Sequence, residues 1–442
     1  MSIGARLTRP LDAAALAAFR VASGVMVTVS AIRFLAYGWV DEFFVAPTFF
    51  FKHLGFSWVP VPAHVHALFV ALIVLGVLVT IGLLYRCAVV LLFIGFTWVQ
   101  LMDATNYLNH YYLVSVLLLL MATMPLGDVW GLDAVVRPRR RRTTLPAWMT
   151  WLLRFQVGCV YAFAGLAKLG GDWLLHAQPL GIWLTSRTTM PVIGPVLAQW
   201  WAPWLFSWCG FLFDSSVVVF LLWRRTRPLA YVVVVIFHSL TMILFPIGMF
   251  PVIMMVAAVV FFSPSWPRRF FTLAPASTTT TTTTKLTTTT TTLLACWCGF
   301  QLLMPLRGWL YGGDVRWHEQ GMRFSWRVMV REKNGTVTFH VEDEATRRRW
   351  FVRPRDWLDA RQAREMSTQP DLILQLAHAI AAAEREKGRD VHVRAEALVS
   401  LNGRPPALLI DPDVDLVDIV DGVRPASWIL PRPDTPPAPT RR

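Results

Sequence analysis

Apolar stretches separated by short polar segments fill the chain from its N-terminus to about residue 310. A helix needs about 20 predominantly apolar residues to cross the hydrocarbon core of a bilayer. Nine stretches approach that length, so the pattern predicts a polytopic α-helical membrane protein with about nine transmembrane helices. The predicted helices are 13–37, 66–84, 87–102, 111–125, 148–169, 201–223, 228–245, 248–262 and 293–310.

Beyond residue 310 the pattern is that of a soluble α+β domain. The segment DLILQLAHAIAAAEREK, at 371–387, carries apolar residues at helical spacing and predicts an amphipathic helix. Asn334-Gly335 is a turn signal, so residues 322–332 and 336–341 are predicted to form a hairpin. Further strands are predicted at 391–401 and 407–410.

These patterns divide the chain into five parts. Residues 1–271 hold the first eight helices, and the threonine-rich run at 272–292 predicts a disordered linker because it has no hydrophobic period. The ninth helix, 293–310, leads into the α+β domain at 311–424. A proline-rich segment, 425–442, is predicted to be a loose tail.

Composition agrees with a membrane protein. The chain is 55% hydrophobic and only 16% charged, whereas soluble domains carry about 25% charged residues. A net charge of +14 raises the question of nucleic-acid binding. The basic residues, however, occur in short clusters between apolar stretches, and no recognised nucleic-acid reader fold is visible. Membrane lipid is therefore the predicted partner, and nucleic acid is not.

The arginine clusters predict how the chain is oriented. Cytoplasmic loops of membrane proteins carry the excess of Lys and Arg. If the N-terminus is cytoplasmic, the inner loops hold Arg86, Arg137, 139–142, Arg224, Arg225, Arg227, Arg268 and Arg269. Nine helices then place the α+β domain on the extracytoplasmic side of the cytoplasmic membrane. Four arginines inside predicted helices are not explained by this rule: Arg20, Arg33, Arg154 and Arg307.

Lys168 is the first candidate for chemistry. It ends a long apolar stretch and precedes Gly170-Gly171-Asp172-Trp173. A lysine near a helix end can bury its stem and extend its amine to the lipid headgroups. Alternatively, a lysine desolvated among apolar groups loses its proton more easily and can act as a base. Both interpretations are open from the residues alone.

Three further ionisable residues lie in or beside predicted helices. His110, in LNHYYL, is either a hydrogen-bonded interfacial residue or an acid–base group. His238 is either a core residue or a ligand-binding one, and Asp214 needs a partner or a proton. The sequence contains no HExxH, no CxxC pair and no glycine-rich phosphate loop, so no metal or nucleotide site is predicted.

Seven segments follow one another along the apolar region: RPLDAAALAAFRVASG, LLYRCAVVLLF, LMDATNYLNHYYL, YAFAGLAKLGGDWL, FDSSVVVFLL, FHSLTMILFPIGMF and FFSPSWPRR. In this order they resemble the membrane part of the vitamin K-dependent gamma-carboxylase family and its microbial relatives. The resemblance continues in FSWRVMV and in SLNGRPPALLIDPDVDLV. It therefore extends over nearly the whole chain up to the proline-rich segment.

The resemblance implies an activity. Enzymes of that family, which are carbon–carbon lyases of the carboxylase type, oxygenate reduced vitamin K to its epoxide. The energy released removes a γ-proton from a peptide glutamate, and CO2 adds to the resulting carbanion. The implied co-substrates are a quinol such as menaquinol or phylloquinol, O2 and CO2, and the implied partner is a Glu-containing peptide or protein.

The resemblance also implies which residues form the quinol site. Lys168 matches the second lysine of the family's KKLDADW and would deprotonate the hydroquinone, whereas Ala167 replaces the first lysine. Asn109 and His110 match the family's NNHSYL and would lie beside the quinone and steady its oxyanion. His238 matches the histidine of an FH-x5-LF stretch and would help to bind the quinone.

Met249 and Phe250 match the family's GMF and complete the implied quinone site. Trp326 and Arg327 fall where the family has YGYSWDMMV near its glutamate site, and they are the implied substrate-binding residues. Here Met322 replaces a tyrosine and Arg327 an aspartate, and these differences bear on carboxylation and not on quinol oxygenation. Two alternatives remain open: a quinol epoxidase without carboxylation, and a non-catalytic membrane scaffold or carrier.

Overall fold

A computed structural model describes residues 2–271 and 286–438. Each of the nine predicted apolar stretches contains a helix, because each is long and predominantly apolar. In chain order the helices are α1 (Ala14–Ala36), α2 (Val65–Ile81), α3 (Tyr85–Met102), α4 (Asn109–Ala122), α5 (Ala147–Ala167), α6 (Ala202–Leu222), α7 (Arg227–Leu244), α8 (Phe250–Ala258) and α9 (Thr288–Leu306).

The helices differ in length. Among the described residues, α1, α3, α5, α6, α7 and α9 with its final turn are the six that are long and apolar enough to cross a membrane. The other three, α2, α4 and α8, are shorter apolar helices. Helix α4 has 14 residues, about 21 Å at 1.5 Å per residue, against a hydrocarbon core of about 30 Å. The fold is that of a polytopic helical membrane protein, and nine crossings stay a prediction.

Glycines let the helices α1 and α2 approach each other closely. Gly24 of α1 and Gly76 of α2 each face a threonine of the other helix, and a Cβ at either position would overlap the hydroxyl of Thr80 or Thr28. Small residues at such positions allow backbone contact where lipid supplies no hydrophobic drive for association. The α1–α2 pair therefore depends on having no side chain at these two positions.

Short elements connect the long helices. Strands β1 (Pro10–Asp12) and β2 (Thr144–Pro146) pair antiparallel just before α1 and α5. The short helices are Ile3–Thr8, Leu132–Val136, Gly171–Leu174, Leu180–Thr185, Gly194–Leu197 and Val315–His318. Three of them lie between α5 and α6, where the apolar pattern predicted only a loop.

The C-terminal domain is built on a four-stranded antiparallel sheet with two helices. Its elements are β3 (Lys333–Asp343), β4 (Arg349–Val352), α10 (Ala360–Met366), α11 (Pro370–Glu386), β5 (Val391–Leu401) and β6 (Ala407–Leu408). The strand order in the sheet is β4-β3-β5-β6. The helices pack against the sheet, and the amphipathic α11 buries Leu376 and Ile380 in the same core as Phe339 and Val393.

The domain is docked on the end of the bundle at which α3 ends and α4 begins. Phe51 and Ala104, from two loops of the bundle, are part of the core of the C-terminal domain. The side-chain amide of Gln375 exchanges two hydrogen bonds with the backbone of Lys52, at 2.8 and 2.9 Å. The two parts of the chain therefore share one buried interface.

The predicted hairpin around Asn334-Gly335 is wrong. Both residues lie inside β3, which pairs with β5 about 60 residues further on, with Gly335 opposite Val399. A Cβ at Gly335 would lie 2.8 Å from the carbonyl oxygen of Ser367, so the glycine makes room for close packing and not for a turn. Residues 322–330 form no strand and follow an irregular path.

Two predicted boundaries also shift. Helix α9 begins at Thr288, capped by the Thr287 hydroxyl, so the last threonines of the predicted linker are helical, while 272–285 lies outside the described residues. Residues 425–438 are not a loose tail, because their carbonyls accept hydrogen bonds from Trp317, Arg404 and Gln178. Proline has no backbone N–H, so a proline-rich segment has few backbone donors of its own. Its carbonyl oxygens are therefore available to accept hydrogen bonds from side chains.

Candidate active site

Lys168 points into the bundle. Its side chain is 6% exposed, and its Nζ lies 2.8 Å from Oδ2 of Asp214. The amine also donates to the carbonyl oxygens of Ala164 at 3.2 Å and Val328 at 3.4 Å, and it lies 5.0 Å from the centre of the Trp173 ring. An amine that extends to lipid headgroups would not have these contacts, so the anchoring interpretation does not describe this lysine.

Asp214 lies inside an apolar helix and therefore needs a partner or a proton. The structure shows that Lys168 is its partner. Its helix, α6, lies against α5 at Gly165, where a Cβ would come within 2.7 Å of Ser215 Oγ. This close approach places the mid-helix carboxylate opposite the amine at the end of α5. A buried charge is costly unless it is paired, and each group supplies the other's partner. The geometry is thus a buried pair, whereas the sequence analysis considered the amine and the carboxylate separately.

A small cavity of about 70 Å³ lies beside the pair and is lined also by Tyr161, His238 and Phe250. His238 is buried, and its Nε2 lies 3.1 Å from the hydroxyl of Tyr161. Its Nδ1 has no hydrogen-bond partner in the described part of the chain. The structure therefore brings His238 to Lys168, and leaves one imidazole nitrogen free for a ligand.

A second cavity, of about 450 Å³, holds the other predicted quinone-site residues: Asn109, His110, Met249 and Phe250. The Phe250 ring separates the two histidines, with its centre 5.8 Å from that of His110 and 5.9 Å from that of His238. Most of the remaining lining is aromatic or aliphatic. An apolar cavity with a few polar side chains suits a flat aromatic ring.

The two cavities are neighbours. Phe250, Val328 and Met329 line both of them, so these three side chains form the partition between His110 and Lys168. Both polar groups can reach one bound ring only if part of this partition moves. Two of the three partition residues belong to the irregular segment 322–330.

That segment is held in place from the bundle side. The Tyr107 hydroxyl donates to Asn109 Oδ1 at 3.0 Å and accepts from the Phe324 backbone N–H at 2.7 Å. Asn109 Nδ2 in turn donates to the carbonyl oxygen of Arg327 at 3.2 Å. Asn109 therefore positions the segment as well as lining the cavity.

The backbone of the segment is unusual, because Phe324, Trp326 and Met329 have positive φ angles between 55° and 59°. Such conformations are unfavourable for residues with a side chain and tend to occur at functional sites. The Trp326 side chain is 1% exposed and stacks on Tyr112, with ring centres 4.7 Å apart. In this position Trp326 supports the segment, and its role in binding a substrate stays a prediction.

Arg327, the other predicted substrate-binding residue, faces two larger cavities, of about 790 and 670 Å³, between the bundle and the C-terminal domain. Its Nε is buried without a hydrogen-bond partner among the described residues. Burial lowers the pKa of this guanidinium from its ordinary value, and the positive charge of Arg316 lowers it further. An anion in either cavity would complete its contacts.

Asp172 was not singled out from the sequence, although it follows Lys168 in the AKLGGDW motif. Its carboxylate accepts from Arg404 at 2.6 and 2.7 Å and from Asn402 at 2.9 Å, and Arg316 lies 3.3 Å away. Burial would raise the pKa of Asp172, but these cations and the amide hold it at about 2. The motif residue thus joins the end of α5 to the C-terminal domain.

Two family models match the chain. Residues 8–266, more than half of the chain, match the HTTM domain, and residues 286–435 match the lumenal domain of vitamin K-dependent gamma-carboxylase. The chain belongs to the vitamin K-dependent gamma-carboxylase family. The resemblance carried by the sequence motifs is thereby confirmed, and a carboxylase-like role is supported. No solved structure matches the chain.

Family membership gives the cavities a context. The described residues contain no group of three His, Cys, Asp or Glu side chains that could hold a metal ion. The aromatic lining of the 450 Å³ cavity, with Asn109 and His110 as its polar groups, fits the reduced vitamin that the family uses. The buried Lys168–Asp214 pair supplies a place for a proton next to it.

Proposed function

We propose that this membrane protein is a gamma-carboxylase-type enzyme that couples oxygenation of a vitamin K-class quinol to carboxylation of a glutamate side chain. The observation that carries the proposal is the buried Lys168–Asp214 pair, with 2.8 Å between Nζ and Oδ2, next to the cavity of His110. A scaffold or carrier would have no need of an ion pair enclosed in an apolar bundle, since such a pair brings little net stability.

Lys168 and Asp214 act as one base in this proposal. The pair carries one proton that can be on Nζ or on Oδ2, because the two atoms are at hydrogen-bond distance. With that proton on the carboxylate, the amine is neutral and can accept another from a ring hydroxyl in the cavity. General base catalysis of this kind is commonly worth about 10²- to 10⁴-fold in rate.

His110 and Asn109 bind and orient the same ring from the other side of the partition. When bound, the reduced vitamin supplies the oxidisable ring whose oxygenation drives carboxylation in this family. The His110 imidazole lines the cavity and can donate to a ring oxygen, and one such preorganised donor is commonly worth about 3 kcal/mol. Phe250 and Met329 lie between this cavity and the Lys168 amine, so the amine reaches the ring when part of this partition moves.

Arg327 is the proposed contact for the acceptor. It lies outside the apolar cavities, between the bundle and the C-terminal domain, where a polar peptide has room to enter. A guanidinium suits a carboxylate because both are planar and can form two parallel hydrogen bonds. The same arginine, standing where the family has an aspartate, is the observation that keeps a quinol epoxidase without carboxylation as the second candidate.

The test uses the full chain in lipid nanodiscs with menaquinol, O2, labelled CO2 and a set of Glu-containing peptides. Epoxide formation, followed by chromatography, should fall at least 100-fold in Lys168→Met and be retained in Lys387→Met, whose side chain is more than half exposed on the C-terminal domain. Label in the peptide supports carboxylation, whereas epoxide without label supports the second candidate. Unchanged epoxide formation in Lys168→Met would contradict both.

A further inference from the structure

Arg33 lines the His110 cavity and has no part in the function proposed so far. It lies in the last turn of α1. The cavity of about 450 Å³ is lined by sixteen residues, and Arg33 is the only one that is permanently charged. The polar remainder is Ser30, Asn109, His110 and Tyr111, and none of these sixteen described residues is a carboxylate.

The guanidinium has no anionic partner in the described part of the chain. Its Cζ lies 5.4 Å from the ring centre of Trp39 and 5.8 Å from that of Tyr37, and these aromatic faces are its recorded contacts. Asp41, a few residues further along, pairs with His66 instead. Cation–π contact compensates only part of the loss of water around a cation, so an additional partner would be favourable.

The half-buried Arg33 differs in this respect from Arg20 and Arg154. Arg20 and Arg154 direct their guanidinium groups at backbone carbonyls. A positive charge in the last turn of a helix interacts favourably with the helix dipole. That effect does not depend on facing a cavity, and therefore does not account for the position of Arg33 beside His110.

We propose that Arg33 is an anion-binding residue of the His110 cavity, and that it holds a negatively charged oxygen on an aromatic ring bound there. Trp39 and Phe250 supply flat apolar faces for such a ring, and His110 supplies a second polar contact. The inference rests on the proposed function in taking this cavity as the quinol site. It adds that the cavity prefers the ionised form of its ligand.

The experiment is a spectroscopic binding titration that needs no turnover. The probe is 2-hydroxy-1,4-naphthoquinone, whose ionised form has its own visible absorption band, added to the full chain in phosphatidylcholine nanodiscs at several pH values. In the wild type the pKa of the bound probe should be lower than that of the free probe. Arg33→Gln should raise it by about one unit, which is a tenfold loss of affinity for the anion, and Arg33→Lys should restore part of it.

The controls separate charge from structure. Affinity for 2-methyl-1,4-naphthoquinone, which cannot ionise, should be the same in the wild type and Arg33→Gln. Arg139→Gln removes the same charge from an exposed position beyond the opposite end of α4, and should leave the pKa of the bound probe at its wild-type value.

Three outcomes would overturn the inference. If Arg33→Gln weakens the binding of both naphthoquinones equally, Arg33 has a structural role. If it weakens the binding of neither, the charge of Arg33 does not act on a ligand in the cavity. If Arg33→Gln leaves probe binding intact but reduces binding of phosphatidylglycerol, the ligand of Arg33 is a lipid headgroup. In these cases the proposed function stands. Failure of the wild type to bind either naphthoquinone would instead contradict the proposed function as well.

Discussion

At the residue scale, the central feature is that the two ionisable groups of α5 and α6 are paired. Each was visible in the sequence as a charge in an apolar stretch, and each was interpreted separately. The pairing depends on the contact between α5 and α6 at Gly165 and Ser215, which is a tertiary feature. Breaking a buried pair on one side leaves an uncompensated charge, so Lys168 and Asp214 are expected to respond to mutation as a unit.

Asp214→Asn tests that coupling with almost no change in shape. The amide cannot take the proton of the amine, so quinol oxygenation should fall by about 100-fold or more, while affinity for a non-ionisable naphthoquinone stays at the wild-type value. The measurement is single-turnover epoxide formation beside equilibrium binding. Ser216→Ala, on the exposed side of the same helix, is the matched control. Parallel loss of rate and binding would indicate a merely structural carboxylate.

At the element scale, arginines inside the apolar stretches join helices to one another. The Arg20 side chain is 0% exposed, and its guanidinium donates to the carbonyl oxygens of Val79 and Thr80, both at 2.6 Å, and of Trp130 at 3.0 Å. The last carbonyls of a helix have no partner within it, and the bilayer offers no water to replace one. Arg20 thus caps α2 from within α1.

The same device recurs at α8. Arg154 of α5 donates to the carbonyl oxygens of Val260, Phe261 and Phe262, where that helix ends. Arg307 similarly donates to the carbonyl oxygens of Met304 and Arg323. These contacts explain why three of the four arginines inside apolar stretches did not follow the rule for cytoplasmic loops.

Arg20→Lys should therefore destabilise the bundle although it preserves the charge. Lysine cannot reproduce the planar fork that serves three carbonyls, and a lost hydrogen bond to a charged group is worth about 1.5 to 3 kcal/mol. A lower midpoint of thermal unfolding in detergent is expected, by several degrees. Arg225→Lys, at an exposed loop position, should unfold at the wild-type temperature. Equal midpoints for all three proteins would contradict capping by Arg20.

The elements themselves were largely predictable from the sequence. Nine apolar helices, the amphipathic α11 and strand β5 lie close to their predicted positions, because their periodicity is strong over many residues. The segment 322–330 was not predictable, since its path is fixed by Tyr107, Asn109 and Tyr112 from the bundle and not by its own pattern. The Asn334-Gly335 signal failed for the same reason, because long-range pairing with β5 overrides a local turn preference.

The candidate site likewise has features that could be predicted from the sequence and features that could not. Lys168 and His110 could be named from family motifs, which record residue types at fixed places along the chain. The partition by Phe250 and Met329, and the charge of Arg33 in the His110 cavity, require distances between separate helices. No spacing within one stretch carries that information.

At the scale of the whole molecule, the site lies between a helical bundle and a domain that are joined by buried polar contacts. The AKLGGDW motif has both functions: Lys168 enters the cavity, and Asp172, four residues later, binds Arg404 and Asn402 of the C-terminal domain. Movement of the domain would therefore be transmitted to the end of α5. The irregular segment 322–330 makes a second connection, through the hydrogen bond from Lys168 to Val328.

The contact between Asp172 and the domain predicts a dependence of stability on pH. The pKa of this carboxyl is lowered from 3.8 to about 2 in the folded protein, which corresponds to about 2 kcal/mol of stabilisation. Because the folded pKa is the lower one, the contribution is complete above about pH 5 and is lost as the pH falls through 4 towards 2. Asp172→Asn should thus lower the unfolding midpoint at pH 7. The decrease should exceed the one that corresponds to about 2 kcal/mol, because the substitution also leaves Arg404 buried beside a neutral amide.

Unfolding of the wild type and Asp172→Asn should be compared in detergent from pH 7 to pH 3. The gap between their midpoints should be constant down to about pH 5 and then narrow, because acid protonates the carboxylate that the variant lacks. Glu384→Gln removes a carboxylate whose cations, Lys387 and Arg389, are about half exposed, and should show a much smaller gap at pH 7. A gap for Asp172→Asn that is equally wide at pH 7 and pH 3 would show that the charge of Asp172 does not hold the domain on the bundle, and the link from domain movement to Lys168 would lose its physical basis.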